Sequence, residues 1–212
     1  MTSMKRVRFA ATVMAIGVCA SMTYAATTNT WDADTGTTGA QDGSGTWTAN
    51  PSDTNWWNNA AANTNWSNST PPDLTIIGAG SGTAGTITLG EPITVGHLRF
   101  NAAGSGSYTL DGNGNALSFG MNFPLVWIST GVTVTNRVSS NNTTRDLNVS
   151  GGGSFVFAGT NIFHSVDIMD SNTGWHGMTG GVDATTITIP AGASFTTTGY
   201  NPNVDYDGNF GF

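Results

Sequence analysis

Histidines, carboxylates and tryptophans are the residues from which this sequence could build chemistry, and their spacing decides what that chemistry could be. His97, His164 and His176 each stand without a second histidine at ligand spacing, and His97 alternates with Arg99, so it is expected at a solvated strand position. Asp167 and Asp170, in V-D-I-M-D, could act as an acid and base pair on a glycan. That chemistry needs several carboxylates converging with a basic partner to tune them, and the chain has a single glutamate, Glu91. Asp42, Ser44 and Thr46 have the spacing of oxygen ligands in a calcium loop, but Trp47 stands where the sharp turn needs glycine and no Glu closes the loop. Asp111–Phe119 has the outline of a calcium-binding glycine-rich nonapeptide, yet it occurs once, and such coils need repeated copies. No catalytic residue, metal site or cofactor is therefore expected, and the chain is read as a non-enzyme. One set of side chains keeps a binding use. Trp56, Trp57 and Trp66 could form a stacking platform for sugar rings if exposed and coplanar; the same indoles could instead pack on the end of a β region and close it.

The elements that would position these residues are announced by a leader and a charge balance. Lys5, Arg6 and Arg8 precede the apolar run Phe9–Met22, which is shorter than the roughly 20 residues a spanning helix needs, and Thr23-Tyr24-Ala25 ends on a small residue. Residues 1–25 are read as a secretory signal peptide cleaved near Ala25. Cys19 lies inside it, and Val18 before it is too large for a lipidation site. Without the leader the chain keeps Arg99, Arg137 and Arg145 against thirteen acids, a net charge of −10, with no lysine and no cysteine. Disulfides cannot hold such an exported protein, so burial and backbone pairing must. So acidic a chain is repelled by nucleic acid and by anionic lipid.

Two regions differ in texture. Residues 26–85 are rich in Trp, Asn and Gly and poor in regular pattern, and are expected to form an irregular N-terminal cap. From Thr86 to about residue 200 apolar residues come as pairs two apart separated by glycine: Ile93 and Val95, Leu98 and Phe100, Tyr108 and Leu110, Leu117 and Phe119. That is a strand period, with one side on a core. The runs predict strands of three to five residues. The phase slips between Val95 and Leu98, which predicts a bulge or corner at Gly96. Pro92, Pro124 and Pro190 fall at or just before strand starts, where a missing amide donor costs little. This spacing fits a β-sandwich or jelly roll as well as a coil of stacked rungs, and Asp111-Gly112 between two runs is a hairpin signal.

Resemblance separates the two. W-D-A-D-T-G from Trp31, D-G-S-G-T-W from Asp42, N-W-W ending at Trp57 and N-W ending at Trp66 come first. They are followed by G-A-G-S-G-T-A-G-T-I-T-L from Gly78, P-I-T-V-G-H-L-R-F from Pro92 and G-S-Y-T-L-D-G from Gly106. This order resembles the opening of bacterial secreted proteins with autotransporter-associated β-strand repeats, and Gly152–Ile168 resembles one copy of that repeat. The resemblance implies an all-β fold, a right-handed parallel β-helix in which each rung covers its neighbours. It also implies a secreted or cell-surface, adhesin-like role without catalysis, with polysaccharide or other cell-surface components as partners. A glycan-binding module is the alternative, and a polysaccharide lyase or hydrolase a further one. Val204, Tyr206, Phe210 and Phe212 alternate at the C-terminus in a way similar to the terminal signal of outer-membrane barrels. The runs are half the length that barrel strands need, so residues 201–212 are expected to be a tail cut from a longer passenger, itself associated with the outer membrane.

Overall fold

The computed structural model describes residues 27–168, 186–188 and 194–197, and every regular element among them is a strand. The chain coils around three faces. The first face is built from β1 (Thr28–Trp31), β5 (Leu74–Ile77), β8 (His97–Phe100) and β11 (Leu125–Ile128). The later halves of β13 (Ser140–Ser150) and β15 (Thr160–Ile168) complete it. The second face is a six-stranded sheet of β2 (Gly45–Trp47), β6 (Thr86–Leu89), β9 (Tyr108–Asp111), β12 (Thr133–Asn136), β14 (Ser154–Phe157) and β16 (Thr186–Thr188). The third face joins β7 (Ile93–Val95) to β10 (Leu117–Phe119) and continues through the early halves of β13 and β15 to β17 (Ser194–Thr197).

All pairing on these faces is parallel, so each strand meets its counterpart one turn later. Leu74 pairs with His97, Leu98 with Val126 and Val126 with Val149, which makes successive turns 23, 28 and 23 residues long. The sandwich alternative fails on this topology. Strands β9 and β10, which flank Asp111-Gly112, lie in different sheets and do not pair. The Asp111–Asn115 turn, with Asn113 and Gly114 at positive φ, is a corner between faces rather than a hairpin. The antiparallel pairs among the described residues come from β3 (Trp56–Trp57) and β4 (Asn63–Thr64), which add beyond β1 at one edge of the first face. Parallel pairing begins within residues 26–85, because β1, β2 and β5 already belong to the coil.

Alternation within each short strand fills the interior, as with Ile87 and Leu89, Val95 and Phe119, Leu98 and Phe100, and Tyr108 and Leu110. The expectation that all strands are short is corrected at β13 and β15, of eleven and nine residues. Each runs from the third face onto the first without stopping, and the pairing shifts register between Asn142 and Asp146 where the corner falls. Inward positions there and at the end of β12 are also less apolar than the earlier pairs suggest: Asn136, Ser140, Asn142 and Asn161 are buried.

Gly96 is the corner between β7 and β8. A Cβ at that position would lie 2.7 Å from the Pro72 carbonyl oxygen and 2.8 Å from that of Asp73 in the preceding turn, so only glycine lets the two turns approach. Gly78 closes the same turn elsewhere with φ of 109° and the Asn101 carbonyl where a Cβ would be. We expect Gly96→Ala to cost about 1–3 kcal/mol through forced backbone shifts. At roughly 2–4 °C per kcal/mol for a chain of this size, thermal melting followed by circular dichroism would read the loss. An unchanged melting temperature would exclude a close approach at this corner.

Candidate functional site

The tryptophans meet at the N-terminal edge of the coil. Trp31 ends β1, Trp47 ends β2, Trp56 opens β3 and Trp66 follows β4, and all four are buried to 1% exposure or less. The Trp47, Trp56 and Trp66 rings lie 4.7–4.9 Å apart, and Trp31 meets Trp56 edge-on at 5.4 Å. Trp31 Nε1 donates to the Gly43 carbonyl at 3.1 Å, and Trp66 Nε1 to the Thr94 carbonyl and to Asn68 Oδ1 at 3.2 Å. The bond to Thr94 anchors Trp66 to the next turn, while the other two hold indoles within their own turn. Of the three indoles considered for a sugar platform, Trp56 and Trp66 thus present no ring face to solvent. Trp57, on the opposite side of β3, is half-buried. Nearby, a solvent-open depression of about 330 Å³ is lined by Asn29, Asn58, Thr64, Asn65, Ser67 and Thr70, uncharged hydroxyls and amides.

Asp42, the first residue of the discarded calcium pattern, has a different role. Its Oδ1 accepts from the Ala79 amide at 2.8 Å and the Tyr108 hydroxyl at 2.7 Å. Its Oδ2 accepts from the amides of Ser81 at 2.8 Å, Gly82 at 3.1 Å and Gly104 at 3.4 Å. One carboxylate therefore ties the loop after β1 to the corners of the next two turns, and amide hydrogens occupy the oxygen faces a cation would need. Burial by itself would raise the Asp42 pKa, yet the Ala79, Ser81 and Gly82 amides and the Tyr108 hydroxyl together hold it below the ordinary carboxylate value. Burial, then the hydrogen bond to Asp42 and its charge, push the Tyr108 phenol well above its usual range. Asp32, fully buried, similarly gathers the amides of Asp34 and Gln41 and the Asn63 side chain at 2.6 Å.

The expectation that His97 is solvated is corrected: it is 2% exposed, and its Nδ1 accepts from the Leu125 amide of the next turn at 3.0 Å. Alternation does place it outward, but the outer side of the first face carries its own apolar layer, where Leu125 and Trp127 are buried and the Arg99 guanidinium lies 6.0 Å from the Trp127 ring. Strand β15 contains His164 and Asp167, with Asp167 in register with Asn148. Asp170 and His176 lie outside the described residues. Among the described residues no group of three or more His, Cys, Asp or Glu side chains converges.

Stacked parallel turns with a tryptophan-filled edge are what comparison with known proteins has to match. The Adhesin BmaC autotransporter of Brucella suis biovar 1 (strain 1330) is 34% identical over 154 residues, which cover 71% of this chain and 4% of that protein. The chain is similar to an autotransporter adhesin. It spans only that small part of the adhesin's length. No protein-family model matches the chain, and no solved structure does.

Two measurements follow from the site. Trp56→Ala should destabilise by about 3–5 kcal/mol, the usual cost of deleting a fully buried aromatic side chain. Trp57→Ala should cost much less; equal losses in denaturant titrations would contradict the packing seen here. For the Asp42 and Tyr108 pair the signs are opposite. The depressed Asp42 adds stability that is complete above the ordinary carboxylate pKa of about 3.9 and is lost as pH falls through its lower folded value. The raised Tyr108 adds stability that is complete below about pH 10 and is lost as pH rises toward its folded value. Melting temperature against pH should show both limbs, and Tyr108→Phe should flatten the alkaline one.

Proposed function

We propose that this chain is a non-enzymatic, adhesin-like β-solenoid exported to the bacterial surface, where it works by presenting its faces. The observation that carries the reading is the combination of a parallel coil with similarity to an autotransporter adhesin. The basic and apolar leader at residues 1–25 supports export, and the small share of the adhesin that is covered supports a longer, outer-membrane-linked parent. We take the coil as right-handed, since about 98% of parallel crossover connections are. We also assign residues 26–85 a capping role. The buried indoles and the antiparallel β3–β4 hairpin cover the edge of the first turn, which would otherwise leave amides, carbonyls and an apolar interior open to water.

Glycan contact is the second reading. It rests on Trp57 together with the neutral depression beside β1 and β4. Trp57→Ala should then abolish retention on immobilised glycans while leaving melting almost unchanged.

Secretion from a Gram-negative host should yield an N-terminus at Ala26, read by mass spectrometry; an acylated Cys19 would overturn the export route. Cells displaying the chain should adhere to host-cell or polysaccharide-coated surfaces above undisplayed controls. Turnover of acidic polysaccharides, abolished by Asp167→Asn, would replace this reading with the lyase or hydrolase one.

A further inference from the structure

The outer side of the second face differs from the rest of the surface. Parallel register aligns Thr86, Thr109, Thr135 and Val156 in one row across β6, β9, β12 and β14, and carries it on to Thr188 in β16. A flanking row holds Thr133 and Ser154, with Ser107 in step before them and Thr186 after. On the other flank Thr46 pairs with Thr88 and Thr88 with Asp111. The motif behind this is T-I-T from Thr86, S-Y-T from Ser107 and T-V-T from Thr133, with the central residue inside and hydroxyls outside. The register runs without a shift through all six strands. By contrast, the outer rows of the first face are bulky and mixed, with Ile76, Arg99, Trp127 and Ser150 in line.

Three properties define what this surface fits. Its hydroxyls are free: those of Thr46, Thr86, Thr88, Thr109, Thr133 and Thr135 make no hydrogen bond with a described residue. Their spacing is fixed, at about 4.8 Å along the coil and about 6.6 Å between alternate residues of a strand, and β-branching holds each threonine in few rotamers, so the array is ordered before anything binds. Finally it is nearly neutral and free of aromatic side chains on its outer rows, with Asp111 and Arg137 at one margin. The missing aromatics argue against stacked sugar rings, and a single arginine against polyanions. What remains is a flat solid whose own donors and acceptors repeat in two dimensions at comparable distances, with methyl groups between hydroxyls to order the contacting water. Ice is such a solid.

We propose that the outer side of this six-stranded sheet is an ice-binding surface. The secreted full-length chain should partition into slowly growing ice and inhibit recrystallisation in frozen sucrose solution. Thr109→Tyr with Thr135→Tyr should abolish both effects, because the rings stand above the plane. Tyrosine suits a strand, and the Thr109→Lys and Thr135→Lys pair serves if the first variant fails to fold, with circular dichroism checking each. Asn141→Tyr, exposed on the third face, should leave both effects intact. Folded protein that stays in the liquid would overturn the proposal, as would equal loss in Asn141→Tyr. Retention on crystalline cellulose or chitin without ice partition would overturn it too, and reassign the face to polysaccharide.

Discussion

Every turn of this coil depends on the parallel hydrogen bonds it makes with the turn beside it. No cysteine lies beyond residue 25, so nothing covalent holds one turn to the next. Register therefore controls everything else. It stacks Leu98 on Val126 and Val126 on Val149 inside, and it fixes what stands beside what outside. The ladder has to start somewhere, and at the first turn its unpaired side and its open interior coincide. In the first described turn the chain gathers four indoles, the largest apolar groups available, and an antiparallel hairpin beyond β1.

Much of this was written in the local sequence. Pairs such as Tyr108 and Leu110 announce strands because alternation is a property of adjacent residues, and the phase slip announces the corner at Gly96 for the same reason. What the local pattern could not carry was anything that depends on the neighbouring turn. His97 reads as solvated beside Arg99, yet it is buried because Leu125, 28 residues later, supplies an amide and a covering side chain. Asp42 reads locally as one position of a failed calcium pattern, while its partners lie 37 to 66 residues away. The Asp111-Gly112 signal is correct about a turn and silent about which sheet follows it. Trp56 and Trp66 look alike in sequence to Trp57, and only the direction of β3 and the hairpin after it separates them.

The polar positions show a division of labour. Threonine, serine and asparagine replace lysine and glutamate over most of the surface. The few carboxylates that matter structurally, Asp32 and Asp42, turn inward onto backbone amides instead of pairing with cations. With three arginines and no lysine beyond residue 25, the chain has few cations to offer, so these acids find positive charge in amide dipoles at the corners. That keeps the faces between corners almost free of charge.

Turn lengths of 19 to 34 residues after the first also shape the energy landscape. Nearly every long-range contact joins residues about one turn apart, so the cost of closing each new loop stays the same however far the coil has grown. Order can then spread along the axis one turn at a time, as in a one-dimensional lattice with nearest-neighbour coupling. Slow steps belong to the first turn, where Thr28–Thr30 wait for Leu74–Ile76 some 46 residues later. Once that loop is closed, each following turn condenses on a finished template.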